Sequence, residues 1–476
     1  MAFPLRVHRL DTRVDPADAF VTLFGADGDA VWLDSGPDAS EGLSLLGTGS
    51  VTAAASVADG TVTIDGVTTP GGILDALRDD LAARPDPEPG GYPVGWWGRL
   101  GYEAGAAATG VPVSDTGSGT PDAALLLVDR LLCVDHAAGT ADLVAPDTPD
   151  GRAWLASTAA ALSTSEGAAA AYRAAHPIPA ATARWRHDDD AYLAAIAACQ
   201  DAIRAGDAYQ LCLTNRAEAR TEADPLAVHL RLRELSPAPH AGFVRVGGDV
   251  LVSSSPEQFL RVEADGRVRT RPIKGTRPRG ATVAADLELR ADLEASEKER
   301  AENVMIVDLM RNDLGRMSEV GSVEVRNLLA VESYAQVHQL VSTVEGRLRT
   351  GLGAVDAVAA CFPAGSMTGA PKLSAMRILH RLEQGPRGAF AGCFGYLAFD
   401  GTAELAMVIR SIHFAGGMAT IGAGGGITAL SVPREELEEV RVKAAALLGA
   451  AGLAVPVTPS ANREPAGNGL DDSDVQ

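Results

Sequence analysis

The chain has 476 residues, 46% hydrophobic and 22% charged, an ordinary composition with ample length for a large core. Its formal net charge of -21 argues against a generic binder of nucleic acid or anionic membrane. The five cysteines (Cys133, Cys199, Cys212, Cys361, Cys393) are scattered and never form a CxxC pair, which fits a reducing cytoplasm better than a disulfide or zinc framework.

The opening residues MAFPLRVHRLDTRVD lack the apolar core of a signal peptide, and no run of about 18 apolar residues occurs, so no membrane span is expected. Residues 1–135 read as an N-terminal region of short strands and turns. Residues 20–24, 30–33 and 60–64 are strand-like. A helix is expected over 73–83, with Leu74, Leu77 and Leu81 at helical spacing. Gly95-Trp96-Trp97-Gly98-Arg99-Leu100-Gly101 reads as a strand under close backbone approach. Residues 136–186 read as a helix-containing connection.

Residues 187–455 are more tightly organised. A helix over 188–205 stops at Gly206, and strands follow over 209–216 and 251–257. Residues 271–279 form a basic turn with Lys274 between Pro272 and Gly275. Ser296 and Glu299 make a capping box that opens a helix through 310. A strand over 337–344, a loop over 362–368 and a helix over 371–382 come next. Strands over 392–399 and 406–414, a glycine loop at 422–426 and a helix over 433–448 complete the region. The tail 456–476, rich in Pro, Gly, Asn and Asp, is expected to be frayed.

Several groups suggest chemistry. Lys274 suits a point-charge anion site or, if desolvated, a nucleophile; on these nine residues alone a plain basic surface turn is the commoner reading. Glu299 and Glu302 are three apart on one helix, and Glu436 and Glu439 three apart on another. One such pair is ordinarily a solvated face, but two pairs on two helices suit a hard cation such as Mg²⁺. Glu439 and Lys443, four apart, could instead simply pair. Gly365-Ser366-Met367-Thr368-Gly369-Ala370-Pro371-Lys372 lacks Walker A spacing, yet its free N–H groups suit a carboxylate. Gly424-Gly425-Gly426 invites the same reading, or is only a tight turn. Cys393, in Gly-Cys-Phe-Gly, has no histidine placed to activate it and reads as a small buried residue.

Taken together these segments resemble the chorismate-utilising enzymes, the family of anthranilate, aminodeoxychorismate, isochorismate and salicylate synthases. RAENVMIVDLMRNDLGR from residue 300, GSMTGAPK and GAGGGI carry the resemblance, in that order. It is strong over 187–450 and weak over the N-terminal third, where Leu33-Asp34-Ser35 and residues 95–103 carry it. The resemblance implies an α+β fold of the anthranilate-synthase type: two packed antiparallel sheets flanked by helices, with the site in the cleft between them. It implies Mg²⁺ on the ring carboxylate of chorismate, with Glu302 and Glu439 as direct ligands and Glu299 and Glu436 acting through bound water. It makes Tyr396, Arg410, Lys443 and the backbone of Gly425 and Gly426 the carboxylate-binding set. Thr368 belongs beside the ring, and His338 matches a site histidine.

Three positions separate the branches of that family. Members that use water carry a lysine base where this chain has Gln210. Anthranilate synthases usually carry alanine where this chain has Lys274, and aminodeoxychorismate synthases carry lysine. Thr368 leans the same way. The resemblance therefore implies component I of an aminodeoxychorismate synthase. In it Lys274, kept neutral by desolvation, attacks C2 of chorismate, Glu257 serves as acid and then base, and ammonia comes from a glutamine amidotransferase subunit. Anthranilate synthase component I and a non-catalytic chorismate-binding regulator are the alternatives. Leu430 and Ala406 depart from the family pattern. So does Ser40-Glu41-Gly42-Leu43, where the element that holds tryptophan would stand, so tryptophan binding is not implied.

Overall fold

The computed structural model describes residues 4–26, 28–84, 91–117, 120–334 and 337–456. The expected frayed tail therefore lies, from residue 457 on, outside the described residues.

Two sheets of twelve strands each form the frame, and every neighbouring pair within them is antiparallel. At the middle of the first sheet Ala30–Asp34 pairs with His240–Val246, which pairs with Asp249–Ser255; Ser411–Ala415, Met418–Ile427 and Gln210–Arg220 follow. The second sheet runs from Ile273–Pro278 through Val337–Arg347, Arg267–Thr270, Gln258–Val262, Ala403–Met407 and Cys393–Ala398 to Gly95–Leu100 and beyond. Each sheet thus takes strands from both sides of the 136–186 connection.

Side-chain alternation explains the layers. Along His240–Val246, Phe243 joins Phe20, Trp32 and the helices outside the first sheet, while Val244 joins Trp97 and Phe394 between the sheets. The helices Asp189–Arg204, Pro225–Leu235 and Pro433–Ala450 cover the first sheet. Glu297–Gly315 and Ala354–Cys361 pack on the second. Gly98 shows why the Trp-Trp stretch needs glycine: its φ is +156° and a Cβ there would lie 2.2 Å from the Ala124 carbonyl oxygen of the next strand.

Four expectations about local structure change. Residues 20–24 end a helix, Pro16–Phe24, because Asp15 caps it through the N–H groups of Ala17 and Asp18 and proline occupies the first turn. The expected strand over 406–414 is two strands in different sheets, Ala403–Met407 and Ser411–Ala415; the chain crosses between them at Arg410, φ +51°. Residues 422–426 are not a loop but the end of the strand Met418–Ile427. Residues 273–278 are likewise an edge strand, bulged at Gly275, where φ is +84° and the register shifts. Half of the expected capping box forms: Ser296 accepts from the Glu299 N–H at 3.4 Å, while the Ser296 N–H donates to the Leu293 carbonyl and the Glu299 carboxylate turns to Arg277; the helix runs on to Gly315.

Candidate active site

The bulged edge of the second sheet faces the Gln210–Arg220 and Met418–Ile427 strands of the first. Gly426 marks the closest approach. A Cβ there would lie 2.2 Å from Gln210 Nε2 and 3.6 Å from Lys274 Nζ, so glycine keeps this corner open for both side chains. Among the described residues the Lys274 amino group has no hydrogen-bond or ion-pair partner. Its charged surroundings are Glu257, Glu302 and Glu439.

Glu257 leaves the strand Asp249–Ser255 at Pro256 and is 7% exposed. Burial pushes its carboxyl up to about 7, against the opposing pull of the Ser366 hydroxyl and Lys274. Ser366 lies in the single 3₁₀ turn Gly365–Met367. Thr368, fully buried beside it, donates its hydroxyl to the Ala364 carbonyl at 3.1 Å. Gln210 is buried, and its carbonyl Oε1 has no hydrogen-bond partner.

The two glutamate pairs converge. Burial raises the Glu302 carboxyl, and Glu299 and Glu436 raise it further while Lys274 and Lys298 oppose them. Glu436 is 3% exposed and lies 3.5 Å from Lys298 Nζ. A Cβ on Gly425 would lie 2.9 Å from Glu436 Oε2, so this backbone runs against the carboxylate. Glu439 is 46% exposed and pairs with Lys443 at 2.5 Å. Burial pushes its carboxyl up, but Lys443, Lys298 and Lys274 together hold it below the ordinary range. Lys443 also donates to the Gly424 carbonyl at 2.8 Å. Glu299 lies 3.6 Å from Arg277. Among the described residues no three His, Cys, Asp or Glu side chains stand close enough together to hold a metal ion.

Arg410, at the crossover between sheets, has no side-chain partner among the described residues. Burial lowers its pKa, and Glu439 opposes that. Tyr396 stands apart from this group: its ring lies 6.1 Å from Trp97, and its charged neighbours are Glu404, Arg261 and Asp400. His338 is not brought to the glutamates. Its Nδ1 faces Ser333 at 2.8 Å and its Nε2 faces Asp286 at 3.0 Å. Cys393 is buried, as expected of an inert thiol. Sequence reasoning missed Ser366, which bears on Glu257, and Lys298. A lysine in the first turn of a helix, where the backbone dipole disfavours a cation, was the available signal for Lys298.

Residues 29–449 match the chorismate binding enzyme family. The chain belongs to the chorismate-binding enzymes. An aminodeoxychorismate synthase of Streptomyces griseus is 46% identical to it, over 97% of this chain and 65% of that protein. Anthranilate synthase component 1 of Streptomyces coelicolor is 37% identical, over 94% of this chain and 88% of that protein. The crystal structure of anthranilate synthase component I from Streptococcus pneumoniae superposes with a TM-score of 0.74 at 28% identity, covering 85% of this chain and 92% of that one. That likeness accords with the α+β architecture of two large antiparallel sheets. The chain spans about two thirds, 65%, of the length of the Streptomyces griseus relative. No helix among the described residues is long and apolar enough to cross a membrane.

Proposed function

We propose that this chain is the chorismate-converting component of an aminodeoxychorismate synthase, turning chorismate and ammonia into 4-amino-4-deoxychorismate, a precursor of 4-aminobenzoate and folate. The observation that carries the reading is the unpartnered Lys274 amino group beside Glu257, a buried carboxyl with a pKa of about 7. The name of the Streptomyces griseus relative supports it.

In this reading Arg410, Lys443 and the backbone of Gly425 and Gly426 hold the carboxylates of chorismate, and Tyr396, which stands apart from them, is left out of the set. Thr368 and Gln210 border the ring. Lys274 attacks C2; both ring double bonds shift, C1=C2 to C1=C6 and C5=C6 to C4=C5, the C4–O bond breaks, and Glu257 gives its proton so that the hydroxyl leaves as water. Ammonia then bonds to C4, both double bonds return, and the C2–N bond to Lys274 breaks. Glu257 takes the proton that the ammonia nitrogen sheds. Glutamine at position 210 cannot deprotonate water, which disfavours a hydroxylated product.

By chemistry the donor set suits a hard divalent cation: Glu302 feels the charges of Glu299 and Glu436, and all four side chains are oxygen donors, although among the described residues they are not drawn within coordinating distance of one point. Glu302 and Glu439 would hold Mg²⁺ directly, with Glu299 and Glu436 acting through its water. When bound, Mg²⁺ would draw charge from the ring carboxylate and so favour loss of the C4 hydroxyl. Ammonia would come from a glutamine amidotransferase partner.

The competing reading, anthranilate synthase component I, is favoured by the fuller coverage of the Streptomyces coelicolor relative. A product assay decides. The purified chain is incubated with chorismate, Mg²⁺ and ammonium, with and without an aminodeoxychorismate lyase. Formation of 4-aminobenzoate only with the lyase, lost in Lys274→Ala, is the expected result. Anthranilate without lyase supports the competing reading. Chorismate binding with neither product would make the chain a non-catalytic binder.

A further inference from the structure

Lys298 lies in the first turn of the helix Glu297–Gly315, where the aligned backbone dipoles oppose a cation. It reaches across to the other glutamate helix, with Nζ 3.5 Å from Glu436 Oε1. Among the described residues Glu436 is its one hydrogen-bond or ion-pair partner. Glu302 and Glu439 lie within its electrostatic reach as well. The side chain is 51% exposed although the carboxylate it faces is only 3% exposed. Lys443 differs: it is fastened at two points, to Glu439 at 2.5 Å and to the Gly424 carbonyl at 2.8 Å. Lys298 is held by one long contact, and half of its side chain is already in solvent.

We propose that Lys298 is the resident counter-ion of the glutamate cluster, holding Glu436 and its neighbours together without a divalent cation and swinging into solvent when one enters. This rests on reading the four glutamates as the metal-holding set. Carboxylates gathered from two helices repel, and one ammonium offsets only part of that repulsion. A divalent cation offsets more of it, but its bound water would need the Glu436 oxygen that Lys298 faces, and its charge would repel the ammonium beside it. The two positive charges therefore compete. The lysine lowers the affinity of the site for metal and keeps the empty cluster from splaying apart.

The test uses the full chain, metal-free and without substrate. Mg²⁺ is titrated by calorimetry into wild type, Lys298→Met and Lys298→Arg, and Tm is read with and without Mg²⁺. Lys298→Met should bind Mg²⁺ about tenfold more tightly. Its Tm should be lower than wild type without Mg²⁺ and equal with it, so the metal-induced rise is larger. Lys298→Arg, which keeps the charge, should follow wild type. Lys298→Gln repeats the comparison if the methionine variant does not fold. Equal or weaker Mg²⁺ binding with an unchanged metal-free Tm would overturn the proposal. Glu302→Gln separates the two failures. If it leaves Mg²⁺ binding intact, the metal reading of the cluster itself is wrong. If it abolishes binding while Lys298→Met changes nothing, only the counter-ion proposal falls.

Discussion

Glu257 and Glu103 are both buried, and in both burial pushes the carboxyl up to about 7. Their surroundings separate them. Glu103, on the helix Tyr102–Ala108, accepts the Arg387 N–H at 2.8 Å on one oxygen and the Gly388 N–H at 2.9 Å on the other. It fastens a helix beside the second sheet to the turn before Ala389, and both its oxygens are engaged. Glu257 is met by the Ser366 hydroxyl and faces the unpartnered Lys274. A raised pKa therefore locates a desolvated carboxyl, and the free neighbour decides whether it has chemistry to do.

The comparison is sharpest in Glu257→Gln. Product formation should fall by about 10²–10⁴-fold, the usual weight of a general acid. The wild-type rate, measured at constant free ammonia, should decline as pH rises through about 7, because the acid must carry its proton; the variant should lose that limb. In stability, unlike rate, the glutamine variant should gain. The folded carboxyl holds its proton more tightly than the unfolded one, so this group lowers stability as pH climbs from 4.5 to about 7. Above that pH the penalty is about 3 kcal/mol, and urea melts at pH 8 should show the glutamine variant gaining it.

The glutamate pairs extend the contrast to Glu302, whose carboxyl is raised, and Glu439, whose carboxyl is lowered. Calorimetric Mg²⁺ affinity should fall more than about 100-fold in Glu302→Gln, and by about 10–100-fold in Glu299→Gln, where in the proposed reading a water would intervene. The smallest effect on rate belongs to Glu103. Glu103→Leu leaves two buried N–H groups without acceptors and should lower stability by about 1–3 kcal/mol for each, seen in urea melts, with the rate per folded molecule unchanged. A large loss of rate there would erase the distinction between the two glutamates.

Much of this fold was legible from apolar periodicity, as in the helix Ile73–Ala83, from a β-branched and aromatic run, as in the strand Ala30–Asp34, and from a cap, as at Ser296. Residues 20–24 were misread because a capping aspartate and a proline upstream outweigh the strand preference of a Val-Thr-Leu-Phe run. The stretches at 273–278 and 422–426 looked like a turn and a loop because glycine hides the alternation of a strand; in the second, a Cβ would meet the Phe390 ring at Gly422, the Leu213 carbonyl at Gly424, Glu436 at Gly425 and Gln210 at Gly426, so close packing rather than turning accounts for those glycines. At the site, two like-charged pairs and an isolated lysine pointed to one cluster. The Lys443–Glu439 pair was legible from its i,i+4 spacing, but that Lys298 reaches Glu436 depends on how two distant helices meet, which no spacing encodes. The orientation of His338 toward Asp286 was hidden for the same reason.

The central claim is that Lys274 bonds to the substrate, and intact-protein mass spectrometry tests it most directly. The chain is mixed with chorismate and Mg²⁺ in the absence of ammonia. The account predicts an adduct equal to chorismate less one water, mapped to Lys274, absent from Lys274→Ala and discharged to the amino product when ammonium is added. No adduct, together with an undiminished yield of 4-amino-4-deoxychorismate from Lys274→Ala, would contradict it.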